Sequence, residues 1–139
     1  MAKTQGSEFG IFANDGEVSF AVHLDGAYVD AKSGDARLAL DRWSHVAGVF
    51  DGREVRVYLD GVQVGALEGE GKRTPNSLDF IIGGDVDGWG NAVSTWDGDI
   101  DEVRISTSAR YAAPEFSPER RFKADDDTLL LLHLSLIHI

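Results

Sequence analysis

The chain has no cysteine, one methionine and three prolines among its 139 residues. Without cysteine it has no disulfide framework, no thiolate nucleophile and no cysteine-ligated zinc. Basic residues are also scarce, because 13 lysines and arginines stand against 24 acids and leave a formal net charge of −11. We therefore expect no nucleic-acid partner. The longest apolar run, residues 129–139, is about half the length of a membrane span, so no membrane insertion is expected either.

Aspartate and glycine are abundant and favour turns over helices. Glycine occurs 16 times, and 16 aspartates outnumber 8 glutamates. Glycine costs roughly 1 kcal/mol in a helix interior, whereas both residues stabilise tight turns, and Asp-Gly suits a two-residue hairpin. Four such dipeptides separate segments of strand-like composition: Asp15-Gly16, Asp25-Gly26, Asp51-Gly52 and Asp60-Gly61.

Alternating apolar and polar residues between these turns predict short antiparallel strands. In the clearest segment, residues 45–67, one predicted face is buried and carries Val55, Val57 and Leu59, and the other is wet and carries Glu54, Arg56 and Tyr58. Further strands are predicted at residues 7–13, 17–24, 78–82, 100–106 and 128–134, with a single helical turn near 108–112. Trp43 is predicted to lie in the core, and His45 is predicted to be packed and hydrogen-bonded rather than a ligand. The pattern predicts an all-β antiparallel sandwich.

Four sequence blocks carry a resemblance to a known family: WSHVAGVFDGREVRVYLDGVQVG, LDFIIGGD, WDGDIDEVRISTSARY and DDTLLLLHL. In order and spacing, residues 7–133 resemble the laminin-G-like branch of the concanavalin A-like lectin/glucanase superfamily. The resemblance implies a two-sheet antiparallel jelly-roll sandwich. It also implies a non-catalytic module of a secreted or cell-surface multidomain protein, with neighbouring domains in a larger parent chain. Such modules often bind carbohydrate or a protein partner, and many hold calcium.

Both ends of the sequence depart from the family pattern. Family members begin with two or three strands before the segment equivalent to residues 2–12, so we expect a laminin-G-like domain over residues 1–133 whose N-terminal strands are missing. The last strand, residues 129–133, would then lack the N-terminal strand with which it normally pairs, and an exposed apolar edge promotes aggregation. Residues 134–139 read LSLIHI, which matches the translation of a common sequencing adapter, so we interpret them as an artefact; a natural strand extension is the alternative.

The acidic stretch between residues 85 and 101 is the candidate metal site. Asp85, Asp87 and Asp99 lie in Gly-rich loops, and no lysine or arginine occurs in the stretch. Calcium takes six to eight oxygen ligands, and clustered carboxylates without bases are costly unless a cation neutralises them. The alternative is that these are solvated turn aspartates, each bonded to its own backbone.

Two tryptophans flank the same acidic loop and make it a candidate binding rim. Loop tryptophans supply flat apolar platforms for sugar rings, with a polar edge for hydrogen bonds. We therefore predict Trp89, Trp96 and Asn91 as ligand-binding residues. The alternative is that each tryptophan plugs an end of the sandwich.

The leading functional hypothesis is a non-enzymatic binding module for glycan or protein, with calcium as a possible cofactor. The alternative is a structural or adhesive spacer domain without a small ligand. A glycoside hydrolase is disfavoured, because the related glucanases carry acids at alternate strand positions. Here Asp99 and Asp101 occupy two of these positions, but Val103 occupies the third, and Glu102 falls on the opposite face.

Overall fold

The computed structural model describes residues 1–134, and every regular element in that range is a β-strand. The all-β prediction is therefore confirmed. The strands are β1 (Phe9–Asn14), β2 (Glu17–Leu24), β3 (Ala27–Arg37), β4 (Val46–Phe50), β5 (Glu54–Leu59), β6 (Val62–Glu68), β7 (Asp85–Val86), β8 (Ala92–Val93), β9 (Val103–Ser106) and β10 (Thr128–Leu132).

Two three-stranded antiparallel meanders, β1–β2–β3 and β4–β5–β6, form the body of the molecule. The predicted hairpin turns join β1 to β2, β2 to β3 and β5 to β6. In each of these turns the aspartate and the glycine both adopt positive φ, for example 49° and 79° at Asp15 and Gly16. That backbone matches the twist of the flanking strands, so the dipeptides set the register of the three hairpins.

The two meanders pack face to face around one apolar core, as a sandwich requires. Strand β2 lies against β4 and β5, and β3 lies against β5 and β6. The core consists of alternate residues of these strands: Val18, Phe20, Val22, Leu24, Ala31, Val55, Val57 and Leu59. The predicted buried face of β5 is confirmed.

Two glycines allow the sheets to approach closely. A methyl group on Gly48 of β4 would lie 2.2 Å from Cγ of Phe20 on β2. A methyl group on Gly65 of β6 would lie 2.1 Å from the carbonyl oxygen of Lys32 on β3. Neither position has a positive φ, so glycine is required there for space between the sheets.

The predicted wet face of β5 is wrong, because Arg56 and Tyr58 are buried. The segment 111–116 crosses the outer face of this sheet and covers both side chains. Arg56 Nη2 donates to the carbonyl oxygen of Tyr111 at 3.1 Å, and Tyr58 OH lies 3.2 Å from the carbonyl oxygen of Ala113. Arg56 also has a near partner, since its Nη1 donates to Oδ2 of Asp51 at 2.6 Å, but the distant segment covers the outer face and supplies a further acceptor for each side chain.

The segment just before and at the start of β4 also differs from prediction. Trp43 was predicted to be in the core, but its side chain is 67% exposed on the loop between β3 and β4. His45 does pack, with its ring edge-on to Phe116 at 5.5 Å and to Phe122 at 5.8 Å between ring centroids. Its Nδ1 is buried without a hydrogen-bond partner, so the predicted hydrogen bond is absent at this atom.

The remaining strands are short. Strands β7 and β8 form a small hairpin, and β9 pairs with β10 in antiparallel fashion. The predicted strand 78–82 contributes an isolated bridge at Ile81, and the predicted strand 100–106 begins only at Val103. Residues 108–112 form no helical turn. The strands expected before Met1 stay a prediction, and residues 135–139 of the predicted adapter-derived tail lie outside the described residues.

We expect Gly48→Ala to lower the free energy of unfolding by about 1–3 kcal/mol, because the added methyl overpacks the interface against Phe20. Gly88→Ala is the matched control, since a methyl there has only an ordinary contact, 3.7 Å from Oε1 of Gln5. Urea denaturation would measure both. Equal losses for the two variants would contradict the close approach of β4 to β2.

We also expect the folded state to lose stability as the pH falls from about 7.5 to 5.5. Burial lowers the pKa of His45 from its ordinary value of 6.5; Asp60 opposes this and Arg104 adds to it. Below that value the unfolded chain binds a proton more readily than the folded chain, so acid favours unfolding. The decline in the urea midpoint should be smaller in His45→Gln than in the natural sequence. An identical decline in both would contradict this assignment.

Candidate functional site

The predicted binding loop is a hairpin closed by β7 and β8. Asp85 pairs with Val93, and Val86 pairs with Ala92. The side chain of Val86 is fully buried and anchors the hairpin, whereas Ala92 and Val93 are exposed. The loop between the strands, residues 87–91, therefore projects from a short but fixed base.

Asp87 organises the turn of this hairpin. Its Oδ1 accepts hydrogen bonds from the backbone N–H groups of Trp89 and Asn91, both at 2.9 Å. The side-chain amide of Asn91 donates to Oδ2 at 3.0 Å. The hydrogen bond from the Asn91 side chain, together with the backbone donors of the turn, lowers the pKa of Asp87. The carboxylate thus serves as an Asx-type cap for its own loop.

Asp85 ties the hairpin to the N-terminal segment. Its Oδ1 accepts a hydrogen bond from the hydroxyl of Thr4 at 2.6 Å and one from the backbone N–H of Val86 at 2.7 Å. One residue further on, the side chain of Gln5 donates to the carbonyl oxygen of Val86 at 2.9 Å. The segment that contains Thr4 and Gln5 therefore supports the base of the loop.

The two predicted platform residues are exposed on this support. Trp89, at the tip of the turn, is 89% exposed, and Trp96, after β8, is 45% exposed. The backbone N–H of Trp96 donates to the carbonyl oxygen of Gly83 at 2.7 Å, beside the base of the hairpin. A methyl group on Gly98 would lie 2.8 Å from Nε1 of Trp96, so the indole lies against this glycine. The alternative that Trp89 plugs the sandwich does not fit its exposure.

The predicted calcium ligands are not gathered into one cage. Within residues 1–134, no group of three or more histidine, aspartate or glutamate side chains is arranged to hold a metal ion. The carboxylates of Asp85 and Asp87 accept hydrogen bonds from the hairpin, and Asp99 is exposed on the loop that precedes β9. This geometry fits the alternative of turn aspartates better, and calcium binding stays a prediction.

The acids considered for glycoside hydrolysis lie outside β9. Asp99 and Asp101 precede Val103, where the strand begins. Glu102 adopts a φ of 51° and points inward, where its Oε2 accepts a hydrogen bond from the backbone N–H of Phe122 at 2.9 Å and its Oε1 lies 2.7 Å from Nδ1 of His133. Glu102 is thus part of a structural contact between β9, β10 and the segment before Phe122.

Sequence reasoning missed a second candidate site, a cavity of about 340 Å3 beside the segment that covers β5. Nine residues line it: Arg104, Arg110, Tyr111, Phe116, Ser117, Glu119, Lys123, Ala124 and Asp125. The available signal was the run of bases around residues 120–123. Acidic residues 125–127 follow that run directly, and opposite charges this close in sequence are typical of a solvated loop.

Comparison of the chain with models of known protein families identifies the class of protein to which this sandwich belongs. A family model of the concanavalin A-like lectin/glucanases superfamily, Laminin_G_3, matches residues 1–113. The sandwich and this match define a concanavalin A-like domain. Since the match covers more than half of the chain, the protein belongs to the Laminin_G_3 family. No curated protein and no solved structure matches the chain.

Membership of the family supports a general role. Laminin-G-like domains are in general non-catalytic binding modules that commonly bind glycans or proteins, and the family suggests an extracellular domain. In the part of the chain that the structure describes, no helix is long and apolar enough to cross a membrane.

We expect Asp87→Ala to loosen the hairpin turn without unfolding the sandwich. Removal of the carboxylate leaves the N–H groups of Trp89 and Asn91 without their acceptor. Their amide hydrogens should then exchange about fivefold faster, while the amides of β2 and β5 keep their rates. Asp97→Ala, a nearby exposed aspartate, is the control and should leave all these rates unchanged. Unaltered exchange at Trp89 and Asn91 in Asp87→Ala would contradict the assigned cap.

Proposed function

We propose that the protein is a recognition module that binds carbohydrate through the tryptophan hairpin, residues 85–96. The observation that carries the proposal is the exposure of Trp89, which is 89% exposed at the tip of a turn with an internal hydrogen-bonded cap. Trp89 and Trp96 place two exposed indoles on one hairpin, and exposed apolar side chains grouped together mark interaction sites, whereas a single exposed ring such as Trp43 is common on protein surfaces.

The hairpin suits a sugar ring for three reasons. An indole offers a flat apolar face together with one N–H donor at its edge. The hydrogen bonds of Asp87 to Trp89 and Asn91 fix the backbone before a ligand arrives, which reduces the ordering cost of binding. Trp96 adds a second indole, which is half-exposed and held beside the base of the same hairpin.

Asn91 takes a supporting part in this proposal. Its side-chain amide donates to the carboxylate of Asp87, and its exposed position leaves the amide oxygen for a ligand hydroxyl. A glycan-binding module of this type would work at the cell surface or outside the cell, as one domain of a longer protein.

Calcium dependence stays a separate prediction for Asp85, Asp87 and Asp99. A glycan array read with calcium and again with chelator tests it directly. A signal that disappears in chelator supports calcium dependence, and a signal that is equal in both contradicts it.

We expect Trp89→Ala to reduce the signal for any bound glycan by at least about tenfold, because stacked aromatic anchors dominate such contacts. Trp96→Ala should reduce it to a smaller extent, since this indole is less exposed. Trp43→Ala is the matched control: it removes another exposed tryptophan, on the loop between β3 and β4, and should leave the signal unchanged.

The same array separates recognition from the alternative role as a spacer domain. A spacer without a small ligand would bind no glycan, and that result would overturn the proposal. Equal losses in Trp43→Ala and Trp89→Ala would also count against the hairpin as the site.

A further inference from the structure

Net positive charge is concentrated in one stretch of this acidic chain. Residues 104–123 hold five basic and two acidic residues, a net charge of +3, whereas the remainder holds eight basic and 22 acidic residues, a net charge of −14. Three of the five bases, Arg104, Arg110 and Lys123, line the cavity of about 340 Å3. Pockets that hold small molecules have volumes of about 300–1,000 Å3, so this cavity lies at the lower end of that range.

Arg110 is already neutralised and acts as a wall of the cavity. Its Nη1 donates to Oδ2 of Asp125 at 2.7 Å, and Nη2 donates to the other carboxylate oxygen. Its Nε donates to the hydroxyl of Ser106. A ligand anion would gain little from a guanidinium that has a bidentate carboxylate partner.

Arg104 is held in place but keeps donors for a ligand. Its side chain is only 10% exposed, its guanidinium lies 4.5 Å from the centroid of the Phe122 ring, and Nη2 donates to the hydroxyl of Tyr111 at 3.0 Å. Its Nη1 lies 3.9 Å from Oε2 of Glu119, which is too long for a hydrogen bond. The side chain of Glu119 is 62% exposed, and this long ion pair is its only charged contact among the described residues.

The other walls combine a second cation with an apolar surface. Lys123 lies at the exposed side of the cavity. The rings of Tyr111 and Phe116 are stacked, with centroids 3.7 Å apart and planes inclined by 1°, and both line the cavity. The ring of Tyr58 packs edge-on against both rings of this pair, and the ring of His45 packs edge-on against Phe116. These contacts hold the aromatic wall in place.

We propose that this cavity binds the carboxylate of a uronic-acid sugar, which displaces Glu119 from Arg104. A planar guanidinium fork matches a carboxylate in a bidentate manner, and Glu119 already places a carboxylate in front of Nη1. The aromatic wall packs against the apolar face of the sugar ring, and Lys123 adds the second positive charge. The cavity shares no residue with the tryptophan hairpin, so the proposal does not depend on the function proposed above.

The experiment is an NMR titration of the full chain with methyl glucuronide, followed at the amides of residues 117–124. Methyl glucoside is the neutral matched ligand and should bind at least about tenfold more weakly, because it lacks the carboxylate. Glu119→Gln should bind methyl glucuronide about threefold more tightly, since the internal competitor loses its charge.

Two variants should weaken the binding of methyl glucuronide. Lys123→Gln should weaken it about fivefold, and this exposed residue can be changed without loss of the fold. Arg104→Gln should weaken it by more than tenfold. Arg53→Gln makes the same charge change on an exposed turn outside the cavity and should alter the affinity less than twofold. Trp89→Ala should leave it unchanged.

Four results would overturn the proposal. Equal affinity for glucuronide and glucoside would exclude recognition of the carboxylate. Equal or tighter binding of N-acetylglutamate would assign the cavity to acidic peptides, and tighter binding of glucose 6-sulfate would assign it to sulfated sugars. An unchanged affinity in both Glu119→Gln and Lys123→Gln would show that the ligand binds elsewhere.

Discussion

The apolar layer between β2 and β5 is the contact on which the rest of the structure depends. Val18 and Val22 from one sheet and Val55 and Val57 from the other are completely or almost completely buried in it. Burial of each such side chain contributes about 1.5–3 kcal/mol, far more than an exposed hydrogen bond. The flanking strands of both meanders attach to these two central strands, and hydrogen bonds of Thr4 to Asp85 and of Gln5 to Val86 tie the tryptophan hairpin to the N-terminal segment.

Strand β5 contributes to the core with one face, and with the other it supports the covering segment, whose Tyr111 and Phe116 line the proposed uronate cavity. Arg56 and Tyr58 fix the backbone of the covering segment through the carbonyl oxygens of Tyr111 and Ala113. Tyr111 in turn forms part of the cavity wall and accepts a hydrogen bond from Arg104. A change that shifts β5 would therefore disturb the second site even if the core adapted, whereas the tryptophan hairpin would keep its own cap.

The strands and hairpins could be predicted where the controlling chemistry is local. Asp-Gly turns set their own backbone, and alternation correctly placed the buried face of β5. The burial of the outer face could not be predicted, because the segment that covers it, including the carbonyl oxygen of Tyr111 that accepts from Arg56, lies 55 residues further along the chain. The start of β9 was placed too early, since the positive φ of Glu102 interrupts the extended backbone. The exposure of Trp43 was not predicted either, because the apolar character of a residue in a loop does not determine whether its side chain faces the core or the solvent.

In the candidate site, too, some features could be predicted from the sequence and others required the structure. The tryptophans of the acidic loop were predicted as a pair from the sequence, and their exposure fits a binding rim. The role of Asp87 as the cap of its own turn is seen only from its hydrogen bonds to Trp89 and Asn91.

Hydrogen-exchange mass spectrometry with and without the strongest glycan from the array tests the central claim, that the tryptophan hairpin binds the glycan, most directly. The account predicts slower exchange confined to residues 85–96 on binding. Protection over β4 to β6 or the loop around Trp43, with none at the hairpin, would contradict it.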